Sequence, residues 1–227
     1  MFHPNEQPME RGWVGRIDGD RVLHLAAQTL QSFFLGGGGA REHAEYRLDG
    51  VTLLVPVIYP PAVRVFESQH AFEFANPMAV RGPAAVVVPP AGVETLTLLP
   101  RLAAVIGAEG AIGGFSLFAD WRAPGRPHPK DRDFSSVLGP VVATPDELGH
   151  TRLALTARVN GVEWLDSASL GFDWDVAREF AAAGTELRTG DILVAPALGV
   201  VEGLVPGATV ELDVPEIGVL ATSVGGT

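Results

Sequence analysis

Turn-forming residues are spread along almost the whole chain, and they set the length that any regular element can reach. The 27 glycines and 18 prolines of this 227-residue protein interrupt runs of valine, leucine and isoleucine. Segments such as GGFSLFA, GPVVAT, RLALTARVNG, GDILVAP and ATVELDVPEIGVLATSV are short, apolar and bounded by Gly, Pro, Asn or Asp. That punctuation predicts many short strands rather than helices. Two stretches depart from it. LAAQTLQSFFL, residues 25–35, has helical spacing and stops at the Gly36–Gly39 run, where a helix cannot continue. DWDVAREFAA, residues 173–182, reads as one amphipathic helix. The fold class is therefore mainly β, or α+β.

The chain divides into two parts. Residues 12–25, GWVGRIDGDRVLHL, read as a hairpin around an Asp-Gly-Asp turn. YRLDGVTLLVPV supplies two more short strands, and Tyr59-Pro60-Pro61 resembles a linker. A small β-rich N-terminal domain, residues 1–58, is expected to precede a larger one, residues 59–227. The glycine run lacks the Lys and Ser/Thr of a phosphate-binding loop and is expected to be a plain loop.

Composition narrows the function classes. Hydrophobic residues make up 47% of the chain, enough for a sizeable core. The net charge of −11 disfavours nucleic acid and anionic membranes as partners. Without cysteine, disulfides and thiolate metal sites are excluded. The polar start, MFHPNEQPMERGW, does not read as a signal peptide, and no apolar run is long enough to span a bilayer, so a cytoplasmic location is expected.

Residues 114–148, GFSLFADWRAPGRPHPKDRDFSSVLGPVVATPDEL, carry the most chemical information. A β-rich run delivers Asp120 beside Trp121, and a loop rich in proline and charge holds the only lysine, Lys130. A turn, a buried strand and a helix start follow. This pattern resembles the fumarylacetoacetate hydrolase family, whose matching segment runs roughly G-[YF]-[TS]-[IV]-x-N-D-W-[ST]-A-R-D, then K-x-F, then L-G-P-W-[LV]-V-T-x-D-E-[LI]. Six segments match in order: the N-terminal hairpin, RVFESQHAFEFANPMAVRGP, LAAVIG, GFSLFADW, DFSSVLGPVVATPDEL with VNG after it, and LRTGDILVAPALG to PGATVELDVPEIGVL. The resemblance implies a layered mixed-β roll, a homodimer or a heteromer with a paralogue, and a small dioxo-acid-like molecule as ligand. The lineage cleaves C–C bonds of acylpyruvates or decarboxylates, hydrates or isomerises dioxo acids.

In that family carboxylates hold Mg²⁺, Mn²⁺ or Ca²⁺, hard cations that prefer oxygen. An E-x-E pair on one strand supplies two ligands, because residues i and i+2 share a face. The matching string here is Leu99-Pro100-Arg101-Leu102-Ala103-Ala104-Val105-Ile106-Gly107, with Leu99 and Arg101 where the glutamates should stand. A further carboxylate position of longer members matches Val63 or Val65. Only Asp120 remains as a metal ligand, preceded by Ala119 instead of Asn. No cofactor is expected, with Mg²⁺ or Mn²⁺ following only if the site is retained. Glu94 and Glu109 could rescue metal binding only through a register shift. Arg101 is instead expected to reach into the former metal position and pair with Asp120 through two parallel bonds.

The resemblance also implies acid–base groups. His70-Ala71-Phe72-Glu73 keeps the spacing of a catalytic H-x-x-E, although FEFANP already reads as the next strand, as if the family's lid were deleted. Glu202 is the alternative partner for His70. Arg132 or Lys130 stands for the family's substrate-binding lysine, depending on a two-residue gap. The other histidines, His3, His24, His43, His128 and His150, show no ligand spacing. The family's Arg position is Pro124, and its threonine-bearing substrate loop is Ala195-Pro196-Ala197-Leu198-Gly199. The reading is a catalytically degenerate member, a pseudoenzyme of a hydrolase and lyase lineage. Two alternatives stand beside it: a rebuilt, metal-independent site around His70, Asp120, Arg132 and Glu202, and a binding or partner subunit of an active paralogue.

Overall fold

The computed structural model describes residues 1–149, 153–169 and 171–226. Strands dominate it. Near the N-terminus, Gly15–Asp18, Arg21–Leu25 and Glu42–Arg47 form an antiparallel sheet, and Phe2–Pro4 pairs with Val51–Leu53. Asp18 and Arg21 flank the tight turn that the Asp-Gly-Asp sequence implied, with Gly19 at φ 60°. Phe2, Trp13, His24 and Tyr46 pack edge-on or stacked against one another beside this sheet.

The helix expected over residues 25–35 is shorter, Leu30–Leu35. Thr29 explains the difference. Its hydroxyl accepts from the Ser32 amide, and the Ser32 hydroxyl accepts from the Thr29 amide, a reciprocal cap that starts the helix there. Leu25 belongs to the preceding strand, and Gly36 is the C-cap, as the glycine run required. The second helix, Trp174–Ala182, begins after Asp173, whose carboxylate caps the amides of Asp175 and Val176.

The larger part holds two sheets. One has eight strands, in the order Ala71–Ala75, Val63–Ser68, Ile192–Val194, Leu96–Ile106, Ile112–Arg122, Ser136–Ala143 and Val80–Arg81, with Val201–Leu204 pairing beside Leu96–Ile106. The other has five: Val162–Ser169, Ala154–Val159, Thr209–Val214, Gly218–Val224 and Val86–Val87. The stretch RGPAAVVVPP thus yields only two short strands, one per sheet, because its prolines remove the amide donors that a longer ladder needs.

Leu96–Ile106 and Ile112–Arg122 form the central hairpin, and their alternation decides what each side faces. Leu98, Leu102, Leu117, Ala119 and Trp121 point to the five-stranded sheet, and with Leu155, Val210, Leu212 and Leu220 they make the largest core. Phe118, Ala103 and Val105 lie on the opposite face and pack with Val63, Val65 and Val194. Phe34 of the N-terminal helix joins this second core. Leu99, Arg101, Asp120 and Arg122 sit on the same face as Phe118, since Leu99 is directly across from Asp120 and Arg101 directly across from Phe118.

Phe34 docks over Gly113, where a Cβ would come within 2.8 Å of the ring. Gly113→Val should therefore push the N-terminal helix off the core and lower stability by about 1–3 kcal/mol. In urea unfolding the midpoint should fall with the slope unchanged. An unchanged midpoint would mean that this contact does not hold the N-terminal part to the larger one.

Candidate functional site

Asp120 is nearly inaccessible, 1% exposed, and three guanidinium groups converge on one of its oxygens, Oδ2. Arg101 Nε lies 3.0 Å away, Arg122 Nη2 3.2 Å and Arg132 Nη2 3.5 Å. Only Arg122 donates a well-directed hydrogen bond to it. The Arg101 contact is a charge pair through Nε, not the two parallel bonds expected, because the outer nitrogens of Arg101 are engaged elsewhere. Its Nη1 donates to the carbonyls of Phe66 and Ala195, both at 3.1 Å, and its Nη2 to Glu67 Oε1 at 3.1 Å.

Each contributor is placed by ordinary backbone geometry. Arg122 follows Asp120 by two residues on one strand, and Arg101 sits diagonally across the ladder, so both share its face. Arg132 comes from the loop after that strand. Pro127 and Pro129 provide the carbonyls that receive the amides of Asp131, Arg132 and Asp133, and this tight turn aims Arg132 back at Asp120. The neighbouring edge hairpin supplies the outer carboxylates: Glu67 meets Arg101, and Glu73 Oε2 meets Arg132 Nη1 at 3.1 Å. Asp131 Oδ2 takes the remaining end of Arg122 at 2.9 Å.

The electrostatics follow from this layout. Burial lowers the pKa of Arg132, and the neighbouring Arg122 and Arg101 lower it further; Asp120 and Glu73 offset only part of that. Burial also disfavours the charge on Arg122, but Asp120 and Asp131 outweigh it and hold the pKa above the ordinary value. Oδ1 of Asp120, Nε of all three arginines and Nη2 of Arg132 are buried without a hydrogen-bond partner.

Other residues singled out from the sequence do not join the cluster. His70 is exposed in the turn between Val63–Ser68 and Ala71–Ala75, and its ring packs edge-on against Phe180, 5.6 Å between centroids. Glu73 lies on the strand Ala71–Ala75, not on a helix, and turns to Arg132. Lys130 pairs in solvent with Asp133 at 2.6 Å, so of the two candidate cations only Arg132 reaches Asp120. Glu202, Glu94 and Glu109 are exposed, and Glu202 makes no ion pair among the described residues. Val63 and Val65 are fully buried. His150 lies outside the described residues. Among the described residues, no group of three or more His, Cys, Asp or Glu side chains is placed to hold a metal ion.

Sequence reasoning missed Glu67, Arg122 and Asp131. Arg122 was within reach of a two-residue periodicity from Asp120. Glu67 carried no local signal, because it lies two strands away from Arg101 in the sheet. A second buried pair, Arg64 with Asp191 at 2.8 Å, ties the edge hairpin to the strand Ile192–Val194 on the other side of the sheet.

Removing one partner of a buried pair leaves the other charge uncompensated, so Arg101→Leu should destabilise the protein by roughly 3–5 kcal/mol. Arg101→Leu with Asp120→Asn should destabilise it by clearly less than the sum of the single changes, a coupling of at least about 1 kcal/mol. Equilibrium unfolding of the four proteins measures this, and strict additivity would show that the two residues do not interact.

The sequence of residues 59–225 matches the family model for the fumarylacetoacetate (FAA) hydrolase C-terminal domain. A sequence search of curated proteins finds no match. Among solved structures, the chain is similar to maleylpyruvate hydrolase from Sphingobium sp. SYK-6, with 22% identity, a TM-score of 0.79 and coverage of 96% of this chain and 98% of that one. The same enzyme has also been seen in complex with manganese (II) ion and pyruvate. Similar too are 5-carboxymethyl-2-hydroxymuconate delta-isomerase from Mycobacterium smegmatis, with 22% identity, a TM-score of 0.76 and coverage of 95% and 94%, and a 2-keto-3-deoxy-D-arabinonate dehydratase, with 18% identity, a TM-score of 0.79 and coverage of 96% and 97%. At such identities the likeness speaks for the fold, while the sequence match spans most of the chain: this protein belongs to the fumarylacetoacetate hydrolase family.

Proposed function

We propose that this chain is a non-catalytic member of its family, one that has exchanged a divalent-metal centre for an arginine–carboxylate cluster. The observation that carries the reading is Arg101 Nε at 3.0 Å from Asp120 Oδ2, with both side chains 1% exposed. A hard divalent cation needs several oxygen donors. Among the described residues Asp120 is the one buried carboxylate on this face, and it is already surrounded by three positive charges. The donor set does not fit Mg²⁺ or Mn²⁺, so no metal-dependent step is assigned to this chain.

A rebuilt, metal-independent site is less well supported. His70 rests on Phe180 at the surface and Glu202 stands in solvent, whereas Asp120 and Arg132 are covered. A general base must come within hydrogen-bond reach of the reacting group, and neither His70 nor Glu202 makes an ion pair or side-chain hydrogen bond with the cluster. The neighbours in fold are hydrolases, isomerases and dehydratases of small acids. Here the same frame serves as a scaffold for binding rather than for C–C bond chemistry.

Calorimetric titration with Mn²⁺ is expected to show no one-to-one binding in the micromolar range, and a dioxo acid such as oxaloacetate should be turned over no faster with Mn²⁺ than with a chelator. Micromolar binding that disappears in Asp120→Ala would refute the proposal.

A further inference from the structure

We propose that the cleft at the tip of the central hairpin binds a small zwitterion with an apolar side chain, an amino acid or short peptide in chemistry. The tip, Glu109-Gly110, forms one wall of this cleft. The N-terminal helix at Leu35, the linker at Pro61, the second helix at Arg178 and Ala182, and the loop 186–189 form the others. Its volume is about 700 Å³. Ligand sites are frequent at such junctions between two parts of a chain. Asp120 lies roughly 25 Å away along the strand Ile112–Arg122, so the inference holds whether arginine or a metal occupies that end.

Four charged side chains line the cleft, Glu109 and Glu186 with Arg178 and Arg188, and their charges sum to zero. Among the described residues none of the four pairs with another. Arg178 approaches only its helix neighbours Asp175 and Glu179, both at 3.8 Å, beyond hydrogen-bond range. Both signs of charge thus share one cleft without neutralising each other. A lone anion there meets two glutamates and a lone cation meets two arginines, whereas a zwitterion satisfies both pairs. A guanidinium takes a carboxylate through its planar fork. Leu35, 68% exposed, and Pro61 offer the ligand's side chain an apolar surface.

The chain holds these groups in place. Arg178 and Ala182 share one face of their helix, while Ala177 and Ala181 are buried in the core. Thr189 Oγ1 donates to the carbonyl of Gly107 at 2.9 Å, and the Gly190 amide to that of Ile106 at 2.8 Å. These bonds tie the loop that carries Glu186 and Arg188 to the hairpin. Glu109 adopts the left-handed conformation, φ 54° and ψ 26°, where glycine or asparagine fits with less strain. Strain of this kind is retained where the surrounding structure enforces it, and it gathers at ligand sites.

The test is a titration of the whole protein with leucine and, separately, with leucyl-leucine, followed through the backbone amide signals of Gly110, Arg178 and Thr189. Isocaproate and isoamylamine, each carrying one of the two charges, are the comparison ligands. At least one zwitterion should saturate these signals at millimolar concentration or below, and the one that saturates first distinguishes amino acid from peptide. The singly charged compounds should bind at least about fivefold more weakly. Arg188→Gln and Glu186→Gln should each raise the Kd about five- to tenfold. Glu94→Gln, at an exposed position just before the strand Leu96–Ile106, should leave it unchanged. Signals unmoved by both zwitterions would overturn the proposal, as would equal binding of the singly charged compounds or unchanged affinity in both cleft variants.

Discussion

A single buried carboxylate organises this molecule. Asp120 lies near the open end of the central hairpin, out of reach of solvent, where an unpaired charge would be strongly destabilising. Its compensation comes from three directions: Arg101 from the adjacent strand, Arg122 from its own strand and Arg132 from the following loop. Through Arg101 the same carboxylate is linked to the backbone of the edge hairpin at Phe66 and of the C-terminal loop at Ala195. Segments more than a hundred residues apart in sequence are thus brought to one point. The apolar cores would hold the sheets together without specifying how the loop and the edge hairpin close over them.

That arrangement gives a physical account of how a family frame would outlast the proposed loss of its metal centre. In a metal site, carboxylates gather around a divalent cation. Here Leu99 and Arg101 stand at the matching strand positions, and the positive charge is covalently part of the chain. Under the proposed replacement the pocket would keep a positive charge beside Asp120 but lose an open coordination position. An alkyl-chain-tethered guanidinium cannot take up substrate oxygens as a metal does, and the two outer glutamates lie across its solvent side.

Much of the fold was legible because glycine and proline act locally. The turn at Gly19, the helix stop at Gly36 and the capped helix after Asp173 each follow from two or three adjacent residues. The helix start at Thr29 was overlooked because Ala26 and Ala27 continue the helical spacing, while the reciprocal Thr29–Ser32 cap sits inside it. In the site, the pairing of Arg101 with Asp120 was legible once the two strands were taken as neighbours, since the period of two fixes the shared face. The choice between Arg132 and Lys130 was not, because a two-residue gap in a loop leaves no periodic signal; the turn built on Pro127 and Pro129 decides it. Glu67 was invisible for another reason. It reaches Arg101 across the intervening strand Ile192–Val194, and no local pattern encodes that order.

The most direct measurement of the central claim is anomalous diffraction from a crystal soaked in Mn²⁺. The account predicts no anomalous peak beside Asp120, with the Arg101 guanidinium still in contact with Oδ2. A peak coordinated by Asp120, with Arg101 turned away from it, would contradict the replacement of metal by arginine on which the functional reading stands.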